Sequence, residues 1–128
     1  MAQCEMSAVL FVKEARRAKR FYIEALGGSL LREDQDYAVI DWQGFHLVVH
    51  QIRSQLASSI EVSQPPERRE RASLRLDYPI ADVVKARAAA RRLGGQIDDT
   101  PPPWAAGDTT FFLGYDPEGN VFGAKSAS

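Results

Sequence analysis

The sequence predicts an α+β domain made of two βαβββ modules, a mixed and curved sheet wrapped around a cleft. Three observations predict it. The order strand, amphipathic helix, three strands occurs twice along the 128 residues. Both helices run into the same tripeptide, Leu26-Gly27-Gly28 and Leu93-Gly94-Gly95. A polar, proline-bearing stretch separates the two occurrences, and such duplication is best recognised before any single element is assigned.

The first module, about residues 5–53, opens with the short apolar strand Ala8–Val12. Over Glu14–Leu26, Ala15, Ala18, Tyr22, Ala25 and Leu26 recur at helical spacing on one face, and Gly27 supplies the left-handed residue that ends a helix. Strands follow at Ser29–Arg32, Tyr37–Trp42 and Phe45–Gln51, the last two joined by the turn Gln43-Gly44. Residues 54–71 form the connector. They carry Pro65-Pro66 and no sustained period, although Gln55–Val62 suits a helical turn.

The second module, about residues 72–126, repeats the plan. Ser73–Leu76 reads as its first strand, and Asp82 caps a helix to Leu93 with Val83, Ala86, Ala90 and Leu93 as the apolar stripe. Strands are expected at Gln96–Asp98, Thr109–Leu113 and Asn120–Lys125. Thr100–Asp108 holds three consecutive prolines, which cannot donate to a sheet ladder, and reads as a loop.

Composition bounds the function. One domain spanning residues 1–128 suits this length, and 45% hydrophobic with 26% charged residues is ordinary for a chain that folds. With 16 Lys and Arg against 17 Asp and Glu, the net charge of -1 lacks the basic excess expected of a nucleic-acid binder. Arg68, Arg69 and Arg71 alternate with Glu67 and Glu70, as on a solvated face. The single cysteine, Cys4, fits a reducing compartment; with no signal peptide or membrane-spanning run in view, a cytoplasmic location is expected.

Two segments carry a resemblance. Phe21-Tyr22-Ile23-Glu24-Ala25-Leu26-Gly27 resembles the F-Y-x-x-x-L-G helix end of the vicinal-oxygen-chelate superfamily, which includes glyoxalase I, bleomycin-resistance proteins and extradiol dioxygenases. Asp116-Pro117-Glu118-Gly119-Asn120 resembles the D-P-[DE]-G-[NH] turn joining that superfamily's last two strands. The resemblance implies the glyoxalase/bleomycin-resistance-like fold and a homodimer.

It also implies where a divalent metal would be held: His or Gln from the first strand of each module, and a carboxylate from the last strand of one or both. Here those positions fall near Ser7, His46, the segment Arg71–Ser73, and Gly123. Of these, His46 alone is a good ligand, since a serine hydroxyl binds poorly and glycine has no ligating side chain. His46 and His50 share a face of one strand but lie about 13 Å apart at ~3.3 Å per residue, too far to hold one ion together. The expectation is therefore no metal and no cofactor.

Period-2 alternation nominates the cleft lining. If Leu47 and Val49 face the helix, then Val9, Phe11, His46, Val48 and His50 face the cleft, with Ser73, Arg75 and Asp77 opposite. Phe112 and Trp104 are further candidate walls. Ordinary structural roles remain open: the histidines as half-exposed strand residues, Phe11 and Phe112 as core or dimer packing, and Arg75 paired with Asp77.

Three functional readings follow. The first is a metal-independent protein that binds an aromatic or amphipathic small molecule, with Phe11, His46, Val48, His50, Arg75, Trp104 and Phe112 as candidate contacts. The alternative is a metal-dependent lyase, isomerase or dioxygenase with altered ligands, using His46 as ligand or base. The third is an interaction domain with a vestigial cleft.

Overall fold

The computed structural model describes residues 6–53, 59–105, 107 and 110–126. The first module contains β1 (Ser7–Val12), α1 (Ala15–Glu24), β2 (Ser29–Glu33), β3 (Tyr37–Trp42) and β4 (Phe45–Gln51). The second contains β5 (Leu76–Ile80), α2 (Val83–Arg92), β6 (Gln96–Ile97), a single 3₁₀ turn at Pro103–Ala105, β7 (Phe111–Tyr115) and β8 (Val121–Ser126). Each module forms a four-stranded mixed sheet of the same topology, β1-β4-β3-β2 and β5-β8-β7-β6, with the first and last strands parallel. Among the described residues no helix is long and apolar enough to cross a membrane.

The repeated Leu-Gly-Gly has a physical basis. Gly27 and Gly94 adopt φ of 79° and 94°, the left-handed region that ends a helix at least cost with glycine. Gly94 and Gly95 return hydrogen bonds to Arg91 and Ala90, whereas Gly27 bonds Ile23, so the two helices close with related variants of one cap. At the second glycines a Cβ would collide with Ile40 beside Gly28 and with Phe21 beside Gly95.

One core spans both modules. Ala18 and Tyr22 of α1, with Leu26 just beyond its end, pack with Ile40, Leu47 and Val49 of the first sheet. Ala86 and Ala90 of α2 belong to the same cluster as Tyr78, Ile97, Phe112 and Phe122. Phe21 reaches across, its ring centroid 5.8 Å from that of Phe122.

The two sequence segments that carry the resemblance are bonded to each other. Tyr22 on α1 donates its hydroxyl to Asp116 Oδ2 at 2.7 Å, and Asp116 Oδ1 accepts from the amides of Glu118 and Asn120 at 2.8 and 3.0 Å. Asp116 is fully buried, and that burial raises its pKa above the usual carboxylate value although the bonds from Tyr22 and Asn120 pull it down. Burial, followed by the Asp116 charge, holds the Tyr22 phenol well above its ordinary value. Glu118 then caps the other module's helix, accepting from the amides of Lys13 at 2.7 Å and Glu14 at 2.8 Å, while Gln51 Oε1 takes Ala15 N at 3.0 Å. These bonds take the place of a local cap, for Glu14 makes no side-chain cap of its own. At α2 the expected local cap is present, with Asp82 accepting from Lys85 N at 3.1 Å.

Two strands differ from expectation. β5 runs over Leu76–Ile80 rather than Ser73–Leu76, and it includes Pro79. A proline is tolerated there because β5 is an edge strand, paired only with β8. β7 begins at Phe111 rather than Thr109, which lies outside the described residues, and extends to Tyr115. Of the helical turn expected over Gln55–Val62, residues 55–58 lie outside the described residues, and 59–62 form no helix.

Candidate functional site

The register fixes which side chains face away from the helices. In the first sheet Ser7 pairs with His46, Val9 with Val48, and Phe11 with His50, so these six residues share the face turned away from the helix. Tyr37 and Asp41 on β3 join them, opposite His50 and His46. The His50 ring lies 5.6 Å from Phe11 and stacks at 6.3 Å on Tyr37. At the other end of β4, His46 Nε2 is 3.3 Å from Asp41 Oδ1, which also accepts the Gly44 amide at 3.0 Å.

In the second sheet the cleft face carries Asp77 beside Gly123, and Phe111 beside Lys125. Phe112 does not line the cleft. It alternates onto the helix side, joins the core, and lies under the Arg87 guanidinium at 4.9 Å from its ring centroid. Phe111, which the sequence reading did not name, stands on the other face in place of Phe112. Arg75 lies just before β5 and binds Asp77 through Nε at 2.7 Å and Nη2 at 3.1 Å. Its guanidinium carbon sits 5.3 Å from the Trp104 ring centroid and 5.2 Å from that of Phe111. The two rings are themselves 5.4 Å apart. Trp104 projects from the 3₁₀ turn and is 64% exposed, so the cluster presents an indole edge and a guanidinium to solvent.

Contacts thus gather the candidate residues into two groups, one per sheet: Phe11, Val48 and His50 with His46 nearer the turn, and Arg75 with Trp104. Tyr37, Asp41 and Phe111 were missed in the sequence. Pairing register would have found the first two, because they stand opposite the two histidines.

The implied metal positions can be tested on their donors. Ser7 and His46 are register partners, and so are Asp77 and Gly123. The β5 position expected near Arg71–Ser73 is therefore occupied by Asp77. A Cβ at Gly123 would collide with the Asp77 carboxylate, so the space where a ligating side chain would begin is already filled. Both Asp77 oxygens are engaged by Arg75. As a ligand set for a divalent ion these positions fall short, since three or four convergent donors are needed. Among the described residues no group of three His, Cys, Asp or Glu side chains comes together.

A wider surface concavity of about 810 Å³ lies along the connector. It sets Lys13, Arg68 and Arg69 against Glu61, Glu67 and Glu118, offering neither an apolar wall nor a charge excess.

Comparison with known proteins agrees with this architecture. No curated protein matches the sequence. A glyoxalase/bleomycin resistance protein/dioxygenase family enzyme from Burkholderia phytofirmans superposes with a TM-score of 0.66 at 16% identity, covering 95% of this chain and 97% of that one. The fosfomycin resistance protein FosX from Listeria monocytogenes superposes with a TM-score of 0.66 at 13% identity over 100% and 94% of the two chains. A protein of unknown function from Agrobacterium tumefaciens reaches 0.64 at 22% identity over 100% and 97%. At such identities the likeness is one of fold. The family of glyoxalase-like domains matches residues 7–124, nearly the whole sequence, and the chain belongs to that family.

Proposed function

We propose that this protein binds an aromatic or amphipathic small molecule in its cleft without a metal ion. The observation that carries the reading is the Arg75 cluster. A guanidinium fixed by Asp77 and flanked by Trp104 and Phe111 offers a cation for an anionic or hydrogen-bonding group and aromatic surface for a flat one. It stands beside Gly123, where a metal-binding member of the superfamily would place a carboxylate. In this reading Phe11, Val48, His50 and Tyr37 of the first sheet add a further aromatic and apolar surface.

Titration with a panel of aromatic carboxylates, followed by indole fluorescence and calorimetry, tests this. Saturable binding is expected, unchanged by prolonged treatment with a chelator. Trp104→Ala should weaken it about 5-fold, in the range of one lost aromatic or cation–π contact, with little change in Tm. Binding that disappears with chelator and returns with a divalent metal would refute the proposal.

A metal-dependent enzyme is the second reading, favoured by the pairing of His46 with Asp41 on the cleft face. Stoichiometric metal in purified protein that is lost in His46→Ala would establish it.

The reading includes a homodimer. Val9 and Phe11 are 52% and 63% exposed, and a second copy would cover them. Light scattering that gives the mass of a single chain at all concentrations would exclude it.

A further inference from the structure

A separate cavity lies at the seam of the two sheets, between the edge strands β1 and β5. Its volume is about 140 Å³, and Leu10, Leu47, Leu76 and Phe122 supply apolar walls. Ala72 and Leu74, both exposed, stand at its rim. Tyr22 and Asn120, both bonded to Asp116, line it as well, and so does Tyr78. This residue is 3% exposed, its ring held 4.7 Å from Trp42, 5.6 Å from Tyr22 and 6.1 Å from Phe122.

Among the described residues the Tyr78 hydroxyl has no hydrogen-bond partner. The neighbouring Tyr22 hydroxyl is committed to Asp116, which acts on Tyr78 only through its charge. The Tyr78 oxygen keeps some accessible surface, and an unpaired hydroxyl on a residue lining a mainly apolar cavity offers a ligand a polar contact. An apolar cavity of roughly 150 Å³ accommodates benzene, so this one has room for a single ring and little more.

We propose that the seam cavity binds a single-ring aromatic molecule bearing one hydrogen-bonding oxygen or nitrogen, phenol-like in size. The ring lies among the leucines and Phe122, and its polar atom pairs with the Tyr78 hydroxyl. The site shares no residue with the Arg75 cluster and does not depend on the cleft reading.

Phenol and benzene are the probes, titrated into the full chain by ligand-observed NMR and calorimetry. Saturable one-to-one binding is expected, with phenol about 3- to 10-fold tighter than benzene, the range one neutral hydrogen bond supplies. Tyr78→Phe, which keeps the ring, should erase that preference while retaining benzene. Ala72→Trp or Leu74→Trp, at exposed rim positions, should block both probes without unfolding the chain. Equal affinities for phenol and benzene in the unaltered protein would overturn the proposal. Absence of saturable binding, or undiminished binding in both rim variants, would overturn it equally.

Discussion

Removing one oxygen atom from α1 tests how the two modules hold together. In Tyr22→Phe the ring still packs against Trp42 and Tyr78, but Asp116 loses the donor at 2.7 Å. The carboxylate is fully buried, so no solvent replaces the lost bond. Hydrogen bonds to charged groups contribute about 1.5–3 kcal/mol. Asn120 Nδ2 still reaches Oδ2 at 3.0 Å, which places the loss in the lower part of that range, about 2 kcal/mol. For a chain of this length that corresponds to a fall in Tm of roughly 8 °C.

The deficit also depends on pH. Asp116 has a raised folded-state pKa, so the native state holds its proton more tightly than the unfolded chain does. Stability from this group is therefore present at low pH and is lost as pH rises through a window above the ordinary carboxylate value. The Tyr22 bond opposes that loss by favouring the ionised form. The variant should thus fall furthest below the parent where Asp116 is ionised and approach it as acid protonates the carboxyl. Urea midpoints measured from pH 4 to pH 8 read this directly. A deficit under about 0.5 kcal/mol, or one that does not vary with pH, would refute the reasoning.

Three further outcomes are expected. Glu118→Ala leaves the Lys13 and Glu14 amides unbound and should cost about 1–2 kcal/mol, with faster hydrogen exchange at those amides; unchanged exchange would show that the carboxylate does not cap α1. Burial raises the phenols of Tyr22 and Tyr78 above the ordinary value of 10.0, so unfolded chains ionise first and stability should decline as pH climbs past that value. The decline should be shallower in Tyr22→Phe, and equal slopes in urea titrations would contradict it. Gly123→Ala places a Cβ against Asp77 and 2.8 Å from Phe111 Cε1, so it should cost about 1–3 kcal/mol and separate Asp77 from Arg75; a crystal structure with that pair intact would count against the argument.

The helices were legible because their signals are local. Helical spacing and Leu-Gly-Gly located α1 and α2 within two residues at either end, and Asp82 announced its own cap. β4 was legible too, since Leu47 and Val49 alternate with His46, Val48 and His50 between turn and connector. The second sheet was less so. Leu74 and Leu76 drew the first strand toward residues 73–76, whereas it runs over Leu76–Ile80 and passes through Pro79, which its edge position tolerates. Phe111 and Phe112 are identical and adjacent, so alternation alone does not tell which faces the core. Register against β8 decides it, with Phe112 opposite Ala124 and Phe111 opposite Lys125.

The role of Glu118 was hidden for another reason. Its partners lie 105 and 104 residues away, and no local pattern reports a bond of that span. The Asp77–Gly123 contact was hidden in the same way, because it exists only once two distant strands align.

That long-range cap bears on how the chain can be taken apart. The first helix starts on a carboxylate supplied from near the C-terminus, so a fragment ending before the connector would have exposed amides where α1 begins. Mixing the two halves as separate peptides should restore the helix only in their complex. The start of the first helix is thereby tied to a turn of the second module, across more than 100 residues of chain.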